Sequence, residues 1–72
     1  MKWTKRNGYG SGYLGQGYQS SEYTIEETYR SQELQKQYGG KVSDYYWMLK
    51  KSGEIIKYGR TAKMLKEYAE QA

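Results

Sequence analysis

Gly10-Ser11-Gly12-Tyr13-Leu14-Gly15 spells the G-x-G-x-x-G spacing of a dinucleotide loop. Such a loop works only between a strand and a helix whose N-terminus receives the pyrophosphate. Here Gln16-Gly17-Tyr18-Gln19-Ser20 follows, a poor helix start, and 72 residues are too few for a doubly wound sheet. A kinase-type glycine loop fails for the same lack of context. Gly39-Gly40-Lys41-Val42-Ser43 lacks the Ser or Thr that must directly follow the lysine of a phosphate loop. Both stretches therefore read as plain loops. Glu26 and Glu27 are adjacent, so on a strand they point to opposite faces and cannot share a substrate. With no Cys and no His, the chain has no disulfide, thiol nucleophile, imidazole base or zinc site of Cys/His type. The expectation is a protein without catalytic residues, cofactor or metal.

What the chain has in excess is tyrosine. Ten tyrosines stand against no phenylalanine, and five of the nine glycines fall in residues 8–17, between Tyr9, Tyr13 and Tyr18. Tyrosine on a Gly- and Ser-rich backbone is paratope chemistry: rigid amphipathic rings on an adaptable chain. A wide hairpin whose rings fold back over a small core explains the same residues equally well, with a disordered linker behind both. Only eight strong aliphatics exist: Leu14, Ile25, Leu34, Val42, Leu49, Ile55, Ile56 and Leu65. Each contributes about 1.5–3 kcal/mol when fully buried, too little to offset chain ordering. Trp3, Trp47 and several tyrosines must then join the core. Ten rings are still more than so small a body can enclose, and the surplus is expected at a surface that binds something.

Charge gives a second class of surface. The net charge is +4, with residues 1–17 carrying +3, 18–38 carrying −2, 39–66 carrying +5 and the last six −2. Lys2, Lys5, Arg6, Lys50, Lys57, Arg60, Lys63 and Lys66 supply cations that neutralise phosphate, while tyrosine rings stack bases. Yet only three arginines occur, and bidentate arginine is the commonest base-specific contact.

The elements that must position these residues follow from period and turn chemistry. Tyr45-Tyr46-Trp47-Met48-Leu49-Lys50-Lys51 and Glu54-Ile55-Ile56-Lys57-Tyr58 read as strands joined by a two-residue Ser52-Gly53 turn. Counting outward from that turn pairs Leu49 with Ile56, Met48 with Lys57 and Trp47 with Tyr58. One face then carries Tyr45, Trp47, Leu49, Ile56 and Tyr58 as core; the other carries Tyr46, Met48, Lys50, Ile55 and Lys57. Glu22–Arg30 reads as a strand with Tyr23, Ile25 and Tyr29 on one side. Glu22, Glu26 and Glu54 are placed for cross-strand pairs with neighbouring lysines. Trp3–Arg6 is a further short strand. Ser31–Gly40 reads as a short helix stopping at Gly39, with the tip of a long hairpin as the alternative. Thr61 caps a last helix whose Leu65, Tyr68 and Ala69 share one face, expected to pack on Trp47, Leu49 and Ile56.

The run from Tyr46 to Tyr58, followed by Thr61-Ala62-Lys63-Met64-Leu65-Lys66-Glu67-Tyr68-Ala69, resembles the ending of small phage anti-defence proteins, anti-CRISPR proteins among them. There an aromatic strand, a Gly turn, an Ile-bearing strand and a short helix close the chain. It covers about the last 25 residues and is one of architecture, so it assigns no residue a role. The same run is similar to the sheet-plus-helix of phage integrase arm-binding domains, which present their sheet to a DNA groove. Glu22, Glu26 and Glu27 depart from that pattern, since acids beside Lys50 repel phosphate.

The sequence thus predicts one α+β domain over residues 1–72, an antiparallel sheet of three or four strands against one C-terminal helix, with a Gly/Tyr-rich loop at about 7–21. The expected function is binding without catalysis, as a phage-type inhibitor that occludes a host protein or nuclease, through Tyr9, Tyr13, Tyr18, Tyr46, Lys50 and Lys57. A small basic nucleic-acid-binding module, adding Lys2, Lys5, Arg6, Arg60 and Lys63, is the alternative. No apolar run spans a bilayer and Met1-Lys2-Trp3-Thr4-Lys5 leads into no signal core, so the expected location is the cytoplasm of an infected or host cell. An exposed edge strand could also pair with a copy of itself.

Overall fold

The structure, a computed structural model, describes residues 2–7 and 16–71, with Arg6, Asn7 and Gln16 described in their backbone alone. Five strands form one antiparallel sheet in the order β1-β2-β3-β4-β5. They are β1 Thr4–Asn7, β2 Gln16–Ser20, β3 Tyr23–Glu27, β4 Trp47–Lys51 and β5 Glu54–Gly59. Two α-helices accompany them, α1 Ser31–Tyr38 and α2 Ala62–Gln71, with a 3-10 helix at Val42–Tyr45. The class is α+β, with five strands rather than three or four and a second α-helix. The added strand is β2, whose residues read as the end of a glycine-rich loop. Gly17 and Tyr18 nevertheless pair with both Arg6 and Lys5 of β1 and Glu26 and Ile25 of β3. A strand bonded on both edges does not need high intrinsic β propensity. Among the described residues, no helix is long and apolar enough to cross a membrane.

Ser52 and Gly53 form the β4–β5 turn with φ of 52° and 87°. Positive φ at both central positions is the turn that matches strand twist, and glycine adopts it without strain. Lys51 opposes Glu54 and Lys50 opposes Ile55, as counting from the turn requires. The register then shifts: Leu49 opposes Lys57, Met48 opposes Tyr58 and Trp47 opposes Gly59. Ile56 is an extra residue, a β-bulge. The expected pairs Leu49–Ile56, Met48–Lys57 and Trp47–Tyr58 are therefore displaced by one. Every side chain beyond the bulge changes face, so Tyr58 leaves the core side and Lys57 joins it.

Alternation places Tyr18, Tyr23, Ile25, Trp47, Leu49, Lys57 and Gly59 on one face, where α2 lies. Ile25, Leu49 and Leu65 are fully buried there, with Tyr23 and Ala69 beside them and Trp3, Tyr18, Trp47 and Ala62 packed around. Ile56, expected in this core, is 42% exposed because the bulge holds it at the edge. Tyr68, expected on the buried helix face, is 43% exposed and receives Lys57 Nζ 4.9 Å from its ring centroid. Helix α2 begins as expected, the Met64 N–H donating to Thr61 Oγ1 at 3.2 Å. Tyr29, assigned to a strand, lies past the end of β3 in a turn and is exposed.

At Gly59 helix and sheet approach closely. A Cβ there would stand 2.9 Å from Leu65 Cδ2 and 3.0 Å from Leu65 Cγ. Leu65 is fully buried and has nowhere to retreat. Gly59→Ala should therefore destabilise the fold by about 1–3 kcal/mol, read from the urea midpoint; an unchanged midpoint would contradict this packing.

Candidate functional site

Helix α1 meets the second face of the sheet at one end. Met48, Tyr58 and Ile55 project from it towards Leu34 of α1. Helix α1 follows the Tyr29-Arg30 turn directly and stops at Gly39, as the sequence predicts. Ser31, the first helical residue, does not cap it. Its buried hydroxyl lies 2.9 Å from Tyr45 O and 3.1 Å from Thr28 O, so one proton serves two carbonyls and ties α1 to the 3-10 helix. Thr28 N–H donates to Tyr46 O at 2.9 Å, which carries the β3–β4 pairing one step further.

The 3-10 helix is braced from both sides. Tyr45 stacks edge-on against Tyr58, centroids 5.7 Å apart, and its hydroxyl donates to Gly39 O at 2.7 Å. Asp44 accepts from Lys41 N–H at 3.1 Å and from Arg60 Nη2 at 3.2 Å. The Lys41 amide first, and then the Arg60 guanidinium, hold the Asp44 carboxyl below the ordinary aspartate value. Because the folded-state pKa is depressed, the stabilisation is present above the unfolded pKa and is lost as pH falls through the folded one.

These braces leave two hollows on either side of the first turn of α1. The smaller, about 160 Å³, is lined by Thr28, Arg30, Leu34, Met48, Ile55 and Tyr58. The larger, about 500 Å³ and open, lies against Tyr29, Arg30, Ser31, Val42 and Tyr46. Arg30 belongs to both and sits 2.9 Å from Glu33 in an exposed ion pair. Tyr29 and Tyr46 present 58% and 47% of their surface to solvent. The Thr28 Oγ1 atom at the smaller hollow is buried and makes no hydrogen bond.

The sequence-derived site residues do not form one patch. Tyr46 lines the larger hollow. Tyr18 is half-buried core cover, 6.2 Å from Trp47 with Lys66 Nζ 3.7 Å above its ring. Lys50 lies on the second face but mid-sheet, its Nζ 3.4 Å from Glu26. Lys57, expected beside Lys50, is on the α2 face because of the bulge. Tyr9 and Tyr13 lie outside the described residues, as does the Arg6 side chain. Of the basic candidates, Lys2 and Lys5 stand at β1. Arg60, paired with Asp44, directly follows β5, and Lys63 stands in the first turn of α2. Strands β1 and β5 are opposite edges of the sheet, about 19 Å apart at four strand spacings. Glu22 and Glu26 do pair with Lys51 and Lys50; Glu54 forms no ion pair among the described residues.

Tyr29, Arg30, Ile55 and Tyr58 are the residues that sequence reasoning missed or misplaced. Strict alternation put Tyr29 with Tyr23 and Ile25. The Ser31 start of α1, two residues later, was the signal that the strand must already have ended. Among the described residues, no three His, Cys, Asp or Glu side chains gather to hold a metal ion. Comparison with family models, curated proteins and solved structures found no match.

Two measurements follow from these contacts. Thr28→Val replaces an unpaired buried hydroxyl with a methyl of the same shape and should raise stability by about 1 kcal/mol; a lower denaturant midpoint would show that the hydroxyl is satisfied. Asp44→Asn should melt below the wild type at neutral pH, with the gap closing as acid protonates the wild-type carboxyl. A gap independent of pH would remove Asp44 as the brace.

Proposed function

We propose that the protein is a non-enzymatic binding module that covers part of a partner protein's surface, as an inhibitor of a host protein or nuclease would. The observation that carries this reading is the pair of hollows meeting at Arg30, the larger of them lined by the exposed Tyr29 and Tyr46. Tyrosine and arginine dominate the energetics of protein interfaces, because each combines large contact area with a hydrogen-bonding tip. The Tyr46 ring stands on backbone already fixed. Tyr46 O accepts from Thr28 N–H, and Tyr46 N–H donates to Ser43 O at 3.4 Å. Little ordering entropy is then lost on association. Within this reading Tyr29, Arg30 and Tyr46 are the anchors, and Ile55 with Tyr58 forms the apolar wall of the smaller hollow. Tyr9 and Tyr13, in the segment linking β1 to β2, are further anchors on sequence grounds alone. A phage anti-defence role fits the architecture of the last 25 residues.

The spread of the cations argues against a nucleic-acid module. A duplex-binding face needs its charges along one stripe, whereas here Lys50 and Arg60 are engaged by carboxylates, Lys57 and Lys66 lie over tyrosine rings, and Lys2 and Lys5 stand at β1.

The test is capture from nuclease-treated host lysate on immobilised protein, comparing wild type with Tyr29→Ala, Tyr46→Ala and Lys5→Ala. Each tyrosine variant should weaken the captured partner by roughly tenfold or more, with Lys5→Ala unchanged. Equal capture by all variants would overturn the site. Salt-sensitive DNA binding with no protein retained would overturn the function.

A further inference from the structure

Strand β5 is an edge strand, bonded among the described residues to β4 alone. Exposed apolar surface gathers along it. Ile55 and Ile56 are 46% and 42% exposed within the strand. Met64 and Tyr68, exposed by 51% and 43%, occupy positions i and i+4 on α2 and so form one strip. Lys57 of β5 lies over the Tyr68 ring, which fixes that strip on the β5 side. The opposite flank of α2 is already used: Lys66 covers Tyr18 of β2, and Glu70 accepts from Trp3 Nε1 at 3.4 Å. One flank of the helix is thus polar and engaged, the other apolar and uncovered above an open strand edge.

Charge along β5 says what covers it. On a regular strand, residues 54 and 57 would point to opposite faces. The bulge at Ile56 puts both on the α2 face, Glu54 through its pairing with Lys51 and Lys57 through its pairing with Leu49. In an antiparallel pair of two β5 strands centred between Ile55 and Ile56, Glu54 of each copy stands directly opposite Lys57 of the other. Both lie on the same face, as opposed residues must. The edge is complementary to itself. We infer that β5 pairs with β5 of a second copy about a two-fold axis, giving a continuous ten-stranded sheet.

The helices fit this arrangement. Helix α2 packs across β3, β4 and β5, which centres it over β4. Two copies would then run side by side three strand spacings apart, about 14 Å. That exceeds the roughly 8–10 Å of directly packed helices, and side chains as long as Tyr68 and Met64 fill the difference. Glu54, which has no ion-pair partner among the described residues, acquires one, and two exposed isoleucines per copy leave water. The contact is isologous and closes at two copies.

Sedimentation velocity over a concentration series tests this, with circular dichroism confirming that each variant folds. Both charged positions are exposed; Lys57→Glu also gives up the contact of Lys57 with the Tyr68 ring, which Glu54→Lys keeps. The wild type should populate a dimer. Glu54→Lys and Lys57→Glu should each raise its dissociation constant by roughly tenfold, since each places two like-charged pairs across the axis. An equimolar mixture of the two variants restores opposite charges in both pairs and should dimerise like wild type, as should the double variant Glu54→Lys/Lys57→Glu. A monomeric wild type, growth beyond two copies, or failure of both the mixture and the double variant would overturn the inference. Tyr29→Ala leaves this edge untouched, so loss of the partner-binding groove and loss of the dimer are separately visible.

Discussion

One extra residue, Ile56, decides how the two layers of this protein meet. A strand two residues past its turn is committed to a face for every later side chain, and the bulge reverses that commitment. Because of it, Tyr58 meets Tyr45 on the α1 side while Lys57 meets Tyr68 on the α2 side. Gly59, in turn, comes to lie beneath Leu65. Without the insertion Tyr58 would project at the helix and Lys57 into the hollow beside Leu34. The braced 3-10 helix, the hollows around Arg30 and the charge pattern of the β5 edge all follow from the reversal.

Among the described residues the large side chains fully enclosed are Ile25, Leu49 and Leu65, a centre too small to hold the sheet and helix unaided. The rest of the cover is made from amphipathic pairs. Lys66 lies over Tyr18, Lys57 over Tyr68 and Lys51 over Tyr23, each ammonium on the face of a ring. A ring shields apolar surface, and the lysine stem extends that shield while its charge stays in water. This arrangement uses tyrosine where larger domains use phenylalanine and leucine. It also accounts for where the surplus goes: Tyr23 is buried, Tyr18, Tyr45 and Tyr58 are half-buried, and Tyr29, Tyr38, Tyr46 and Tyr68 remain open. The open rings are not scattered evenly. Tyr29 and Tyr46 share a hollow, and Tyr68 borders the β5 edge.

The features readable in the sequence were those set by local chemistry. Ser52-Gly53 fixed a hairpin, Thr61 a helix start and Gly39 a helix stop, because each depends on a few neighbouring residues. The α+β class followed from these. What was not readable depended on pairing at a distance. Residues 16–20 carry too few β-formers to announce a strand, and only β1 and β3 on either side make them one. The bulge has no signature in Glu54-Ile55-Ile56-Lys57-Tyr58, since two adjacent isoleucines serve either register. That one misplacement carried Lys57 and Tyr58 to the wrong faces and scattered the expected Tyr46, Lys50 and Lys57 patch. Tyr46 kept a place at the site because it precedes the strand and owes nothing to its register.

The most direct check on the bulge is a nuclear Overhauser map of the aromatic rings in solution. The account requires contacts from the Tyr58 ring to Tyr45 and Met48, and from the Lys57 side chain to the Tyr68 ring. Contacts from Tyr58 to Trp47 together with contacts from Ile56 to Leu49 would show the uninterrupted register, and the faces assigned to every residue after Ile55 would then be reversed.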